Sequence, residues 1–289
     1  MANMRAIRAR IKSVKNTEQI SKAMKMVSVS KLRKTQASME GLRNFAEKTQ
    51  SIIDMLLSGG TSPDIPFIHP RAEVKKVCYV LFVGNRGLCG IYNVILLHHL
   101  QHLLRQEKRD AFVVVVGRWG RDVLAKMNIP VHHTFTETSD TPNAEEGLEI
   151  AEYLKQLYLS GEADEVHLVY QRYISSLQQI PGEIQLLPTT HTPGAEPSRG
   201  GEPIFVPERE GVLESVLQLY INNTVYSVMV EARCGEHAAR MTAMTTATDS
   251  TKTLISALQL SLNRARQAAI TTEISEIVGG ASALKRKKS

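Results

Sequence analysis

The 289-residue sequence lacks the features that mark disulfide-bonded, metal-binding and membrane-spanning chains. Its three cysteines, Cys78, Cys89 and Cys234, form neither a CxxC pair nor an even set, so we expect a reducing compartment and no structural metal. The longest apolar run, residues 77–83, is far shorter than the roughly 20 residues that a helix needs to cross a bilayer. Aromatic residues make up only 5% of the chain, which is low for one large globular core.

Proline and glycine are nearly missing from both ends of the chain. All 11 prolines lie within residues 63–207, only Gly41 interrupts residues 1–58, and only Gly235 interrupts residues 212–278. Because a proline inside a helix costs about 3 kcal/mol, long proline-free segments are typical of long helices. We therefore predict one long helix at each end of the chain, with a globular insert between them.

Apolar residues in both terminal segments repeat every seven positions, as in the seam of a coiled coil. In the first segment Ile20, Met24 and Val27 are out of phase with the residues before them, which predicts a stutter. In the last segment the predicted seam near the chain end consists of Ile270, Ile274, Ile277, Ala281 and Leu284. Since both helices must join the same insert, we predict an antiparallel pair packed along these seams.

Positive charge is concentrated at the ends of the chain. Residues 1–50 carry 12 Lys and Arg against three Glu, a net charge of +9, and residues 285–288 add four more positive charges. The whole chain has a formal net charge of only +6, so the part between the ends is acidic. A basic helix of this kind can serve nucleic acid, an acidic protein partner or anionic lipid.

From residue 74 the pattern changes to alternating strands and helices. Apolar runs predict strands at residues 77–83, 112–116, 131–135, 165–173 and 183–187. Amphipathic stretches predict helices at residues 92–106, 119–127 and 143–158, with Asn143 as the N-cap of the last. Strands separated by helices of this length indicate a mainly parallel, Rossmann-like sheet.

The predicted fold class is α/β, with a long antiparallel coiled coil of the N- and C-terminal helices plus a central Rossmann-like α/β domain. The predicted parts are an N-terminal coiled-coil helix at 1–58, the α/β domain at 74–190, a proline-containing linker at 191–211, a C-terminal coiled-coil helix at 212–284 and a basic tail at 285–289.

Two local patterns resemble ligand sites only in part. Gly84, Gly87 and Gly90 follow the first strand, but their GxxGxxG spacing is not the dinucleotide GxGxxG, and no P-loop Lys-Ser/Thr follows. A tight structural turn or a protein contact is favoured over a phosphate site. His98 or His99 lies four or three residues before His102 on one helix, a spacing that could hold a metal, but no carboxylate or cysteine nearby completes the set, so a solvated helix face is favoured. No GxSxG, HExxH or paired-carboxylate motif is present, so no catalytic residue, cofactor or metal is expected.

Four blocks of sequence are similar to one known family. Residues 265–284, ARQAAITTEISEIVGGASAL, closely resemble the signature of the gamma subunit of F-type ATP synthases. Residues 13–34, SVKNTEQISKAMKMVSVSKLRK, resemble the opening helix of that family. RGLCG at 86–90 and EHAARMTAM at 236–244 match its internal blocks. The resemblance covers nearly the whole chain in the right order.

The resemblance implies a rotor shaft, present in one copy per complex. In this family the terminal helices form a coiled coil inside a hexamer of alternating alpha and beta subunits. The α/β domain and the epsilon subunit form a foot on the membrane ring of c subunits. The chain would then be a non-catalytic, peripheral subunit at the cytoplasmic face of a bacterial membrane, without a nucleic-acid partner.

The resemblance also implies contact residues by position. It places Lys22, Met24 and Lys25 at an acidic lever of the beta subunits. It implies polar contacts with the hexamer from Arg240, Arg266, Gln267, Thr271, Glu273 and Glu276. It places Phe205, Val206 and Glu208 where the foot meets the c-ring and the epsilon subunit.

Composition and pattern alone leave two other functions open. A basic coiled-coil nucleic-acid binder predicts salt-sensitive DNA binding by the isolated chain, whereas a shaft predicts co-purification with alpha, beta and epsilon subunits. A Rossmann-type enzyme requires nucleotide binding near residues 84–90.

Overall fold

The computed structural model describes residues 2–58, 65–189 and 209–286. Its elements in chain order are α1 (Ala2–Ser58), β1 (Lys76–Phe82), α2 (Tyr92–Gln106), β2 (Asp110–Val116), α3 (Arg118–Lys126), β3 (Val131–Phe135), α4 (Ala144–Leu159), β4 (Glu165–Tyr173), β5 (Gln179–Leu187) and α5 (Arg209–Arg286). The chain divides into two compact units, one of residues 28–242 and one of residues 1–27 with 243–289. The predicted α/β class with two long terminal helices is confirmed.

The larger unit is built on a five-stranded sheet with the order β3-β2-β1-β4-β5. The first four strands are parallel, and in register Val80 of β1 lies opposite Val114 of β2 and Leu168 of β4. β5 is antiparallel to β4, because a tight hairpin joins the two strands. The predicted mainly parallel sheet is confirmed, and β5 begins at Gln179, four residues before the predicted strand.

Both faces of the sheet are covered, so its central strands are continuous apolar runs rather than alternating ones. On β1, Cys78, Val80 and Phe82 belong to one core cluster, and Val77, Tyr79 and Leu81 belong to the other, as does Val83 just after the strand. The first cluster includes residues of α4, the end of α1 and the start of α5. The second cluster is formed with α2 and α3. The larger unit is therefore a three-layer α/β structure.

Within the larger unit, the described parts of α1 and α5 run antiparallel. Leu32 clusters with Cys234 and Ala238, whereas Ile53, twenty-one residues further along α1, clusters with Leu217. Residue numbers thus rise along α1 as they fall along α5, as the antiparallel prediction requires.

The predicted stutter in α1 is wrong. Ser21 and Ser28 are buried at heptad positions that continue the phase set by Leu32, while Ile20 and Val27 are 60% and 53% exposed. The helix keeps one phase, and small hydroxyl side chains take the seam positions because they let a neighbouring helix approach closely. The apolar pattern predicts the wrong seam here because the more apolar residues of this stretch face outward.

In the smaller unit, the buried positions of α5 are Met244, Thr248 and Ile255, and the half-buried ones continue at heptad spacing as far as Ala269. The predicted seam beyond that point is wrong at its described positions. Those side chains are exposed by 45%, 56% and 71% at Ile270, Ile274 and Ile277, respectively. Every described residue from Ile270 to Gly280 is exposed, so no helix among the described residues covers these last turns of α5.

None of the helices in the described part of the chain has a stretch long and apolar enough to cross a membrane.

Candidate functional site

The candidate site of the larger unit is the crevice between β1 and β4. In doubly wound sheets, ligands bind at the carboxyl ends of the strands where the strand order reverses, and here that point lies beside β1. Helix α5 lies in this crevice. Arg233 of α5 donates a hydrogen bond from Nη1 to the carbonyl oxygen of Val83, just after β1, at 3.3 Å. Glu231 accepts one from the backbone N–H of Tyr173, at the end of β4, at 2.9 Å.

A buried ionic triad on α5, formed by Arg233, Glu236 and Arg240, lies at the centre of the crevice. Oε2 of Glu236 accepts from Nη1 of Arg233 at 2.6 Å, and Oε1 accepts from Nη2 of Arg240 at 2.6 Å. The spacings of three and four residues place all three side chains on one face of the helix. Glu236 is 2% exposed, Arg233 3% and Arg240 8%, so all three charges are withdrawn from water.

The electrostatics of Glu236 follow from this geometry. Burial opposes ionisation of its carboxyl group, but the charges and hydrogen bonds of Arg233 and Arg240 outweigh burial and hold the pKa below its usual value. Glu236 is therefore a carboxylate at neutral pH. Two guanidinium groups share it, which leaves the cluster with a net positive charge.

The surplus donors of the two arginines reach two loops. Nη2 of Arg240 donates to the carbonyl oxygens of Arg86 and Gly87 at 3.3 Å and 3.4 Å, in the loop after β1. Nη2 of Arg233 donates to Oγ1 of Thr138, in the loop after β3, at 2.6 Å. The two loops are joined directly, because Nδ2 of Asn85 donates to the carbonyl oxygen of Thr138 at 2.6 Å.

His237 and Asp140 extend the network to α1. Nε2 of His237 lies 2.7 Å from the carbonyl oxygen of Asp140, which requires a proton on that nitrogen. Burial lowers the pKa of His237, so the ring stays neutral at pH 7. The carboxylate of Asp140 forms an ion pair with Lys31 of α1. Burial raises the pKa of this carboxyl group, but the hydrogen bond and charge of Lys31 outweigh burial, so the pKa lies below its usual value.

The glycine-punctuated turn after β1 is a contact surface for α5. A Cβ atom on Gly84 would lie 2.8 Å from Oε1 of Glu236 and 3.2 Å from Oδ1 of Asn93. The carboxylate of Glu236 thus lies against the backbone where a phosphate group would have to approach, and its charge would repel one. Gly90 has a φ of 62°, in the left-handed region that favours glycine. The structure therefore supports the structural-turn interpretation of this motif.

The contact residues implied by the family resemblance lie in different places. Arg240 is in the buried triad, so its guanidinium group binds partners within its own chain. Lys22 is exposed on α1, whereas Met24 and Lys25 are half-buried there. Exposed side chains of α5 in the smaller unit include Arg266, Gln267, Thr271, Glu273 and Glu276. Phe205, Val206 and Glu208 lie outside the described residues.

Sequence reasoning missed the triad itself. Glu236 and Arg240 lie in the EHAARMTAM block, but the resemblance implies no role for Glu236, and Arg233 lies outside the block. The available signal was the spacing of Arg233, Glu236 and Arg240 beside Gly235, a glycine in a long helix. A Cβ on Gly235 would lie 3.1 Å from the ring of Tyr92, so glycine permits close approach of α5 to the start of α2.

Histidines do not form a metal centre in the described part of the chain. His98 and His102 are exposed on α2, and His99 is half-buried there. No group of three or more His, Cys, Asp or Glu among the residues that the structure describes is placed to hold a metal ion.

Comparison with known proteins gives matches along the whole chain. A family model described as ATP synthase matches residues 3–284. The ATP synthase gamma chain of Moorella thermoacetica is 42% identical over 285 residues, which cover 99% of this chain and 100% of the relative. That of Desulforamulus reducens is 43% identical over 286 residues, which cover 98% and 100%.

Solved structures share the fold. The rotor of the Euglena gracilis mitochondrial ATP synthase aligns with a TM-score of 0.69 at 20% identity, over 93% of this chain and 99% of that one. A chain of the OSCP/F1/c-ring assembly of the same enzyme aligns with a TM-score of 0.73 at 21% identity, over 100% and 96%.

These matches give no support to the nucleic-acid-binding hypothesis. Because the family model spans nearly the whole sequence and full-length relatives exceed 40% identity, the chain belongs to the ATP synthase gamma chain family.

Proposed function

We propose that this chain is the central rotor shaft of an F-type ATP synthase. It couples ion-driven rotation of the membrane c-ring to conformational changes in the catalytic hexamer of alpha and beta subunits. The full-length match to gamma chains carries the proposal. On this proposal the chain supplies no catalytic group, binds the epsilon subunit as well, and lies peripherally at the cytoplasmic face of a bacterial membrane.

The shaft acts on the hexamer as a ligand with differential contacts. A ligand shifts a conformational equilibrium only by the difference in its affinity for the two states. One asymmetric shaft presents a different surface to each of three equivalent catalytic sites. Rotation then changes which site it favours, and each site passes in turn through states of different nucleotide affinity.

The first turns of α1 support contact with an acidic surface. Arg5, Arg8, Arg10, Lys12 and Lys15 are all exposed. Exposed charges in water interact weakly one by one, but a cluster of one sign produces a field that favours an acidic partner. An acidic lever on the beta subunits fits this surface, and we place Lys22, Met24 and Lys25 at the same contact.

The last described turns of α5 support contact inside the hexamer. Ile270, Ile274 and Ile277 are exposed at spacings of four and three residues, so they form one apolar stripe. An apolar stripe that no other described residue of its chain covers is typical of a surface that is covered in a complex. Polar side chains flank it, and we propose that Arg266, Gln267, Thr271, Glu273 and Glu276 bind the surrounding subunits.

The test replaces the adjacent pair Arg266→Ala and Gln267→Ala and measures ion-driven ATP synthesis by membranes that contain the assembled complex. A matched control is the pair Arg105→Ala and Gln106→Ala, which is also Arg-Gln and also exposed, but lies on α2. Since a hydrogen bond to a charged group contributes about 1.5–3 kcal/mol, we expect the first pair to lower the synthesis rate roughly tenfold. The control pair should leave it unchanged.

Two results would contradict the proposal at different levels. Equal synthesis rates for the two double variants would argue against the contact role of Arg266 and Gln267. Failure of the wild-type chain to co-purify with alpha, beta and epsilon subunits, or ion-driven synthesis that does not require it, would reject the shaft function itself.

A further inference from the structure

The proposed function requires torque to pass between the α/β sheet and α5. In the turns from Arg233 to Arg240, the contacts that can transmit it are those in the crevice between β1 and β4. We propose that the triad of Arg233, Glu236 and Arg240 is a buried clamp that fixes the rotational position of α5 against the sheet, with Glu236 as its positioning residue. This inference rests on the proposed shaft function.

In the turns of α5 that carry the clamp, the buried apolar side chains are small. Near the start of α5, leucine, isoleucine and valine side chains enter the main core cluster. In the turns that carry the clamp, the helix offers Gly235 and Ala238, and the local cluster of buried apolar residues has only four members. Apolar burial is non-directional, so small side chains give little resistance to rotation of the helix about its axis.

The clamp supplies directional contacts. Charge-assisted hydrogen bonds have a preferred geometry, and a guanidinium group with several donors fixes its partners in a plane. Arg240 reaches the loop after β1, and Arg233 reaches both that loop and the loop after β3. Glu236 holds both arginines through separate oxygens. Rotation of α5 would therefore break contacts to two segments that are some fifty residues apart in the sequence.

Stability alone does not account for three buried charges. Apolar residues of similar volume often replace a buried ion pair without loss of stability, whereas the loss of one partner leaves an uncompensated charge. A buried triad is thus weak as a source of folding energy and well suited to fixing one geometry. The extension through Asp140 to Lys31 connects the same loop to α1, so both helices are tied to it.

The test uses the complete enzyme complex with Glu236→Gln in this chain. The readout is the number of ions pumped per ATP hydrolysed, because a residue that serves stability alone would lower the amount of complex and leave this ratio unchanged. We expect the ratio to fall at least twofold and rotor fluctuations in single-molecule recordings to widen. The matched control is Glu73→Gln, which makes the same exchange in the exposed ion pair of Glu73 with Lys75 and should leave both readouts unchanged.

A second variant covers the case in which Glu236→Gln fails to assemble. Arg233→Met, Glu236→Met and Arg240→Met together remove every charge of the clamp and leave unbranched, flexible apolar side chains in its place. We expect this variant to assemble and to show the same loss of pumping ratio. A normal ratio in either assembled clamp variant overturns the proposal, as does an equal loss with Glu73→Gln.

Failure of both clamp variants to assemble would mean that the charges serve folding, and this result would also overturn the proposal. A wild-type chain that supports no ion pumping at all would instead reject the shaft function. The two failures are therefore distinguishable.

Discussion

A single methyl group added at Gly84 tests whether the carboxylate of Glu236 is held against the turn after β1. In Gly84→Ala the new Cβ atom would lie 2.8 Å from Oε1 of Glu236 and 3.2 Å from Oδ1 of Asn93. Neither neighbour can move freely. Two guanidinium groups hold Glu236 at 2.6 Å each, and Oδ1 of Asn93 accepts a hydrogen bond from the N–H of Gly84 at 3.0 Å. Gly87→Ala is the matched control, because a Cβ there would meet nothing within 4 Å.

The expected magnitude follows from these contacts. Extra volume in a packed interior costs about 1–3 kcal/mol, and displacement of Glu236 would also weaken charge-assisted hydrogen bonds that contribute about 1.5–3 kcal/mol each. We expect Gly84→Ala to lower the free energy of unfolding by about 2–4 kcal/mol. Gly87→Ala should change it by less than about 1 kcal/mol, since only the entropy of the unfolded chain is affected.

The assay is urea unfolding followed by the fluorescence of Trp119, the only tryptophan in the sequence. Trp119 packs against the core cluster formed with α2 and α3, and its backbone N–H donates to the carbonyl oxygen of Gly84 at 3.3 Å. The signal therefore reports the larger unit at the turn itself. Equal midpoints for Gly84→Ala and Gly87→Ala would refute the close contact between the turn and Glu236.

Two further predictions concern pH and helix capping. Because the pKa of Glu236 is lowered in the folded chain, its stabilisation is present above the unfolded-state pKa of about 4.3 and is lost as pH falls through the lower folded-state value. The difference in unfolding free energy between wild type and Glu236→Gln should then be largest near pH 7 and shrink below about pH 4. A difference that is constant with pH in urea titrations would contradict the assigned charge state. Asn143→Ala should cost about 1 kcal/mol, because Oδ1 of Asn143 accepts from the N–H of Glu146 at 2.8 Å at the start of α4. Asn143→Asp should retain stability by the same urea assay, and equal losses for the two substitutions would argue against a capping role.

The sequence predicted those elements of the α/β unit that depend on neighbouring residues, such as apolar runs, amphipathic stretches and helix caps. Helix α2 and strand β4 have the predicted bounds, and Asn143 caps α4 as the sequence indicates. β5 was predicted too short because Pro181 and polar residues open it. Proline is tolerated in this strand because it lies at the edge of the sheet, where one side of the backbone needs no strand partner.

The seam of α1 was less predictable, because burial on a long helix depends on the partner. An apolar side chain at Ile20 or Val27 indicates a core position by composition, yet both face outward. The phase is set by the heptad repeat that includes Leu32, and Ser21 and Ser28 occupy positions of the same repeat. A narrow seam of small hydroxyl side chains cannot be found by a search for apolar residues, and the apolar Ile20 and Val27 beside it are exposed.

The crevice shows why the site could not be predicted from the sequence. By helical spacing alone, Glu236 and Arg240 read as a solvated surface pair of small energetic value. Their burial depends on the carbonyl oxygens of Arg86 and Gly87, about 150 residues away, which only the complete fold brings within reach. The same fold explains the glycine spacing, since Gly84 accommodates a carboxylate of the protein's own helix. The crevice that binds ligands in other doubly wound sheets is thus occupied by a helix of the same chain. Groups suited to binding an anion bind the Glu236 carboxylate of α5 here instead of a ligand.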